Sequence, residues 1–260
     1  MKLNFFAYFG GKSKLAKDLI PRFPSHSCYV EVFGGAGNVL LQKPPSKVEV
    51  FNDLNSDIVN LFRQVRENFD AFYEQILLCL YSREEYHRFS ELLSTETDDL
   101  NRALMFYVVA QQSFGGKFGN YFSVDKRGRC WASKLPRLAC IQKRLLPVII
   151  ENMGFEKVLR TYDSPDTFFY LDPPYLPETR RGGRYENEMT YEDHEYLIFL
   201  LRTLKGKFML SGYPNELYDS EGWMTKEFQV SSHVDQEKQK QKRTEKIWCN
   251  YPIEKQTLLF

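Results

Sequence analysis

Several features that would assign a protein to a common class are missing from this sequence. The five cysteines include no C-x-x-C pair and are odd in number, which argues against both a disulfide framework and a zinc site. No apolar run approaches the roughly 18 residues of a membrane-spanning helix. The first twelve residues lack the charged and apolar regions of a signal peptide. A folded protein of a reducing compartment, with no membrane partner and no metal, is therefore expected.

Excess charge is missing too, because 35 basic side chains nearly balance 34 acidic ones and leave a net charge of +1. The balance is not uniform along the chain. Residues 51–99 contain eleven acids and four arginines, whereas residues 115–147 contain eight bases and one acid. A local basic block can bind phosphate groups on a chain that is neutral as a whole, and a solvated helix face would have the same composition.

The chain nevertheless carries enough apolar material for a large core. Hydrophobic residues make up 43% of its 260 residues and aromatic residues 15%, which fits one large domain or a core with an insertion. Several apolar runs are typical of buried strands. The segments between them have apolar residues at helical spacing, and one of these is a short helix after the first strand. These runs lie at 28–33, 48–51, 148–150, 168–171 and 207–211. Their alternation with helices predicts an α/β fold with a parallel sheet.

Two regions depart from that alternation. Residues 70–112 are predicted to be mostly helical, and residues 115–128, rich in glycine, aromatic and basic residues, are predicted to form a loop or a β-hairpin. The last 40 residues predict two strands, 224–230 and 247–251, on either side of a polar segment. The helical region and the hairpin together predict an insertion into the α/β core.

A glycine-rich turn follows the first predicted strand. Its sequence is Phe33-Gly34-Gly35-Ala36-Gly37, and glycine lets a backbone turn sharply and approach a ligand closely. Asp53 ends the next strand, 19 residues after Gly34, where an acid is placed to bind ribose hydroxyls. A structural turn and a helix cap are the alternatives. Together the two features favour binding of a nucleoside cofactor.

A second loop, Asp172-Pro173-Pro174-Tyr175, comes directly after the apolar run 168–171. Two prolines extend neither a central strand nor a helix, so they impose a rigid loop at the carboxyl edge of the sheet, where open α/β folds bind ligands. Asp172 and the Pro173 carbonyl are hydrogen-bond acceptors, and Tyr175 offers a flat aromatic face. This combination suits a planar group that bears an NH₂, although an ordinary turn remains the alternative.

These motifs resemble those of the Dam-like (D12 class) DNA adenine-N6 methyltransferases. The resemblance rests on Gly10-Gly11-Lys12, Phe33-x-Gly35-x-Gly37 and the Asp172–Tyr175 loop, in the order that the family has. Three downstream segments, 188–194, 210–218 and 244–251, are also similar to the family, so the resemblance covers nearly the whole chain. It implies S-adenosyl-L-methionine as cofactor and double-stranded DNA as substrate.

The resemblance also implies roles for individual residues. Asp172, Pro173, Pro174 and Tyr175 would be the catalytic loop that holds the target adenine, with Asp172 also beside the cofactor. The residues that it implies for cofactor binding are Tyr8, Gly11, Lys12, Phe33, Gly35, Gly37, Asp53 and Phe155. Tyr8 and Lys12 would contact the methionine tail, and Asp53 the ribose.

One position departs from the family pattern. The family often has an acid just before a phenylalanine in the strand that precedes the catalytic loop, where it binds the cofactor's adenine amino group. Here Gly154 precedes Phe155. Phe155 is still expected to pack on the cofactor ring, and Glu156 or Asn152 is a candidate replacement for the acid.

DNA contacts are expected from the basic hairpin and from a second basic segment near the carboxyl end. The predicted DNA-binding residues are Lys117, Asn120, Lys126, Arg127, Arg129, Lys242 and Arg243. In the major groove, asparagine can read adenine and arginine can read guanine, whereas the lysines are expected to contact phosphate. Binding should therefore weaken steeply with salt.

The predicted fold is a Rossmann-like S-adenosylmethionine-dependent methyltransferase fold with an inserted, mainly helical target-recognition domain that carries a β-hairpin. Residues 1–60 and 148–260 are assigned to the catalytic domain and residues 61–147 to the insertion. The protein is expected to be a monomer in solution or a dimer on DNA. It is expected to be encoded by a prokaryote or a phage and to lie in the cytoplasm, associated with the nucleoid.

Other functions share parts of this pattern. An RNA adenine-N6 methyltransferase would have the same catalytic loop, and a non-catalytic DNA-binding module would keep the basic segments. A methyltransferase that acts on protein glutamine would have Asn in place of Asp172. One that acts on cytosine N4 would have Ser there. A dehydrogenase is disfavoured by the incomplete glycine fingerprint.

Overall fold

In the computed structural model the chain is described over residues 3–6, 8, 10–116, 118–119, 121–124, 131, 133–179, 187–231 and 242–254. It divides into two compact units. The first consists of Met1–Ser13, Gly35–Lys43 and Asn55–Asn152, and the second of Lys14–Gly34, Pro44–Leu54 and Met153–Phe260. The first unit contains the predicted insertion, 61–147, and also the amino-terminal motif and most of the glycine-rich turn.

The second unit is built on a mixed sheet. Its strands are β1 (Cys28–Glu31), β2 (Val48–Asn52), β4 (Thr167–Leu171), β5 (Lys207–Gly212), β6 (Met224–Ser231) and β7 (Lys242–Cys249), with β3 assigned to the first unit below. They follow the order β2-β1-β4-β5-β7-β6, in which the first four are parallel and β7 is antiparallel to both β5 and β6. All five residues of β4 are buried, as expected for a central parallel strand covered on both faces.

Helices accompany these strands in the second unit. They are α1 (Ala16–Leu19), α7 (Phe155–Tyr162), α8 (Tyr191–Thr203) and α9 (Glu216–Asp219), the intervening numbers belonging to the first unit. Helix α8 begins with a capping box, in which Thr190 and Asp193 each accept a backbone N–H of the other. Leu197 and Leu201 of α8 belong to the same core cluster as Val30 and Phe169 of the sheet. This unit therefore has the α/β architecture of the predicted Rossmann-like fold.

The first unit is mainly helical. It contains α2 (Ser56–Glu67), α3 (Phe69–Leu78), α4 (Arg83–Leu92), α5 (Asp99–Gln112), α6 (Leu138–Leu145) and the short strand β3 (Ile149–Glu151). Asn55 accepts the backbone N–H groups of Asp57 and Ile58 at the start of α2. Arg102 on α5 forms an ion pair with Asp57 and so links α5 to α2. None of the helices in the described part of the chain has the length and apolar character that crossing a bilayer requires.

Two local predictions need correction. The expected short helix after the glycine-rich turn is a run of turns that ends near Lys43. The last strand begins at Lys242 rather than at residue 247, because an antiparallel pair with β6 is held by backbone hydrogen bonds and tolerates polar side chains. The chain reverses after α5, where an isolated antiparallel bridge joins Ser113 and Phe122. Residues 117, 120 and 125–128 lie outside the described residues, so the loop or β-hairpin at 115–128 stays a prediction.

Candidate active site

The loop Asp172–Tyr175 begins where the buried strand β4 ends. In the strand order, β4 lies between β1 and β5, so the loop follows the carboxyl end of an interior parallel strand. Pro173 is buried and Asp172 is partly exposed. Tyr175 is only 6% exposed. The sequence-predicted loop is therefore anchored in the sheet, with its acid still accessible.

A chain of hydroxyl groups holds the carboxylate of Asp172. Ser211, on the neighbouring strand β5, lies with its Oγ 2.8 Å from Asp172 Oδ1, to which it donates. The Tyr170 hydroxyl lies 3.1 Å from the same Ser211 oxygen. Burial raises the pKa of Tyr170 well above its ordinary value, and the negative charge of Asp172 adds to the effect. Tyr170 therefore keeps its proton and donates to Ser211, which leaves the Ser211 proton for Asp172.

The aromatic residue of the loop has two acidic neighbours. The hydroxyl oxygen of Tyr175 lies 2.8 Å from Glu245 Oε2 and 3.1 Å from Asp172 Oδ1. Its ring packs edge-to-face against Tyr213, with the ring centroids 4.7 Å apart. The hydroxyl of Tyr213 accepts a 3.2 Å hydrogen bond from Arg243 Nη1. Strand β7 thus supplies polar partners for both tyrosines.

Sequence reasoning missed Ser211 and Glu245. They lie 39 and 73 residues after Asp172, and only the pairing of β4 with β5 and of β5 with β7 places them beside it. The strand register explains the position of Ser211. Leu171 of β4 pairs with Leu210 of β5, so the residues that follow them, Asp172 and Ser211, are neighbours.

Replacing Ser211 with alanine is expected to slow methyl transfer about 10- to 100-fold, because hydrogen bonds to charged groups contribute about 1.5–3 kcal/mol. Single-turnover kinetics at saturating substrates measures this loss. Thr167→Val is the matched control, since Thr167 begins the neighbouring strand β4 and its buried hydroxyl donates to the Tyr162 carbonyl. The control should lower the melting temperature and keep the rate. Equal rate losses in the two variants would argue for a purely structural role of Ser211.

In the first unit, the amino-terminal motif and the glycine-rich turn lie against each other. The backbone N–H of Gly11 donates to the Tyr8 carbonyl, and Lys12 Nζ, which is buried, donates to the Gly10 carbonyl. Gly35 has a φ of +50°, and a Cβ at that position would lie 3.2 Å from the Tyr8 ring. Tyr8, Gly11, Lys12 and Gly35 are therefore brought together, while Gly37 follows in the same turn with a φ of +62°.

Asn38 is a further polar residue of this region that sequence reasoning missed. It is 6% exposed, and its Nδ2 is 2.8 Å from where a Cβ on Gly11 would lie. Its buried Oδ1 has no hydrogen-bond partner among the described residues. A buried polar atom of this kind calls for a partner, and an ammonium group is a suitable donor. The available signal was a lone amide in the otherwise apolar run 36–41.

The second unit holds the other predicted cofactor residues. Phe33 and Phe155 are both partly buried, and their rings lie 5.9 Å apart. Asp53 follows β2 directly and is partly exposed. The preceding residue, Asn52, donates from Nδ2 to the carbonyls of Val32 and Met153, and so ties the ends of these segments together. The structure brings Phe33 and Phe155 into contact and fixes the backbone beside Asp53.

The position of the missing acid is open space. A Cβ added to Gly154, which caps helix α7, would meet no atom of the described residues within 4 Å. Glu156 has other partners. Its hydrogen bond with Tyr196 lowers its pKa, and its hydrogen bond and ion pair with Arg160 also lower it. Asn152 accepts a hydrogen bond from Ser56 at 3.1 Å. These contacts provide no support for either residue as the replacement.

Gly35→Ala tests the turn in the first unit. A left-handed backbone conformation costs an alanine roughly 1–2 kcal/mol, and the Tyr8 ring must also move. We expect the dissociation constant for S-adenosylmethionine to rise about tenfold by isothermal titration calorimetry, as such an energy implies. Gly222→Ala is the control, because Gly222 has a φ of +69° with nothing within 4 Å. An unchanged affinity in Gly35→Ala would contradict the assignment of this turn to the cofactor.

Most of the predicted DNA-binding residues cannot be placed. Lys117, Asn120, Lys126, Arg127 and Arg129 lie outside the described residues, and of Lys242 the structure describes only the backbone, in β7. Arg243 is described, and it contacts Tyr213 as given above. Among the described residues, no three His, Cys, Asp or Glu side chains are grouped as a metal site would require.

Comparison with known proteins points to one family. The model of the D12 class N6 adenine-specific DNA methyltransferases matches residues 8–232. The Type II methyltransferase M1.LlaDCHI of Lactococcus lactis subsp. cremoris is 29% identical over 79% of this chain and 79% of its own length. DNA adenine methylases of Haemophilus influenzae and Escherichia coli K12 are 25% and 30% identical, over 80% and 76% of this chain and 77% and 75% of their own lengths.

Proposed function

Since the chain belongs to the D12 class of N6 adenine-specific DNA methyltransferases, we propose that the loop Asp172–Tyr175 receives the adenine and that S-adenosyl-L-methionine is the methyl donor. The reaction is methylation of the adenine N6 amino group in DNA. The observation that carries the assignment of the site is the carboxylate of Asp172, held by Ser211 beside Tyr175 after an interior strand.

Asp172 is proposed to activate the amino group. The lone pair of the adenine amino nitrogen is delocalised into the ring, which makes the nitrogen a poor nucleophile. Asp172 and the Pro173 carbonyl each accept one N–H, and this favours a pyramidal nitrogen whose lone pair is exposed. Positive charge develops on the nitrogen during attack, so the carboxylate stabilises the transition state more than the ground state. The proton leaves after methyl transfer, and no strong general base is required.

The residues present fit the cofactor. When bound, S-adenosylmethionine supplies a methyl group on a positively charged sulfur. In the first unit, Tyr8, Gly11, Lys12 and the turn residues Gly35 and Gly37 are assigned to its methionine end, where the unpartnered oxygen of Asn38 can accept from an ammonium group. In the second unit, Asp53 is assigned to the ribose hydroxyls, and the apolar pair Phe33 and Phe155 to the adenine ring.

The DNA substrate imposes a further requirement. An amino group inside a duplex is out of reach, so the base is proposed to flip out, at a cost of a few kcal/mol that stacking on Tyr175 partly offsets. The insertion 61–147 is proposed as the target-recognition domain, acting on double-stranded DNA with the enzyme as a monomer. Its basic residues and those at 242–243 keep their predicted role in DNA binding.

Transfer of a tritiated methyl group from S-adenosylmethionine to duplex DNA, RNA and protein tests this function. Nucleoside analysis of the product should show N6-methyladenine in duplex DNA. Sequencing of methylated positions in DNA from cells that express the chain should show one recognition site. Label in RNA or protein but not in DNA, or the absence of any label, would contradict the proposal.

A further inference from the structure

One proton is shared between two acceptors at Tyr175. A phenol has a single O–H, whereas an ionised carboxylate only accepts. The hydroxyl oxygen of Tyr175 is 2.8 Å from Glu245 and 3.1 Å from Asp172, so both of these carboxylates of the described chain lie within hydrogen-bond distance of it. At any moment it donates fully to only one of them. The shorter distance identifies Glu245 as its main partner.

The position of Glu245 is fixed by the sheet. Glu245 lies in β7, where it pairs with Phe228 of β6, and β7 also pairs with β5 up to Gly212, the residue before Tyr213. Arg243 is two residues earlier on the same strand, hence on the same face. Its hydrogen bond to Tyr213 and that of Glu245 to Tyr175 hold the edge-to-face pair of tyrosines from one side. After burial and the charge of Asp172, the negative charge of Glu245 also contributes to the raised pKa of Tyr170.

We propose that Glu245 is a positioning residue that retains the Tyr175 proton, so that Asp172 stays available to the adenine amino group. This inference rests on the proposed function, because it assigns adenine to Asp172. Without an acceptor at position 245, the Tyr175 hydroxyl turns to Asp172. A hydrogen bond from a hydroxyl to a carboxylate is short and strong, and it competes with the N–H of the substrate.

Two substitutions separate the acceptor from the charge. Glu245→Met fills a similar volume against Tyr175 but offers no oxygen, whereas Glu245→Gln removes the charge and keeps an oxygen acceptor. In single-turnover assays at saturating DNA and S-adenosylmethionine, we expect Glu245→Met to be about 10- to 100-fold slower, the range for loss of a hydrogen bond to a charged group. Glu245→Gln should be less than about threefold slower. The affinity for S-adenosylmethionine should be unchanged in both.

The decisive experiment is the double variant Glu245→Met/Tyr175→Phe. Removing the hydroxyl removes the competitor for Asp172, so the double variant should be faster than Glu245→Met alone and match Tyr175→Phe. A structural role for Glu245 would give losses that multiply instead. A double variant slower than either single variant therefore overturns the proposal, as does a Glu245→Met enzyme with the wild-type rate.

Glu227→Gln is the matched control for charge. Glu227 lies on β6 of the same pair of strands and is 4.0 Å from Lys246, with most of its side chain accessible. The Glu227→Gln substitution removes one negative charge near the proposed DNA-binding segment, and the rate of this variant should equal that of the wild type. Failure of the proposed function is recognised separately, since the wild type would then not methylate DNA or Asp172→Ala would remain active. If both behave as expected and Glu245→Met is unimpaired, only the role of Glu245 is refuted.

Discussion

Replacing Asp172 with alanine is expected to lower the single-turnover rate of methyl transfer at least about 1000-fold, the upper range for loss of one preorganised electrostatic contact. The carboxylate faces the nitrogen on which positive charge develops, and the hydroxyl chain Tyr170–Ser211 holds it in place. Water that fills the vacated space carries no charge and is not held in position before the reaction, so it does not replace the carboxylate. S-adenosylmethionine binding should change by less than about threefold, because most of its assigned contacts lie elsewhere.

Asp166→Ala is the matched control for this variant. Asp166 precedes the same strand at its amino end, and its side chain is exposed. Its backbone carbonyl accepts hydrogen bonds from Ser27 and Cys28, and this contact does not involve the side chain that the substitution removes. The control should keep the wild-type rate. Normal turnover by Asp172→Ala would refute the mechanism, and a matching loss of S-adenosylmethionine affinity would assign Asp172 to cofactor binding instead.

Local sequence signals were sufficient for the elements that carry the site. The apolar run 168–171, followed by Asp172 and two prolines, admits few structures other than a buried strand and a rigid loop, and β4 with its loop has that form. Asparagine is a favoured N-cap residue, and Asn55, the residue before α2, forms the cap hydrogen bonds. In each case the residues that decide the structure are neighbours in the chain.

The partners of the loop could not be found in that way. Ser211 and Glu245 lie beside Asp172 and Tyr175 because β5 and β7 follow β4 in the sheet. Both fall in segments that resemble the family, but those segments alone do not say which residues they contact. The same holds for the start of β7, where Lys242 and Arg243 are polar in sequence but pair with Ser231 and Val230. Strand order and register are long-range properties, so they must be known before such contacts can be assigned.

The second large effect is expected for Tyr175. Stacking of one base on an aromatic side chain is worth about 1–3 kcal/mol, so Tyr175→Ala should lower the rate about 10- to 100-fold at subsaturating DNA. Tyr175 is buried and packs on Tyr213, so the truncation also leaves a void beside Asp172 and should lower the melting temperature. Fluorescence of 2-aminopurine at the target position should report less flipped base.

Tyr175→Phe separates the ring from the hydroxyl. Phenylalanine keeps the stacking face and the contact with Tyr213, and it removes the O–H that Glu245 and Asp172 share. If stacking is the main role, Tyr175→Phe should retain most of the activity and of the fluorescence signal. Equal losses in Tyr175→Phe and Tyr175→Ala would instead give the hydroxyl the larger part, and Tyr175 would then act on Asp172 rather than on the base.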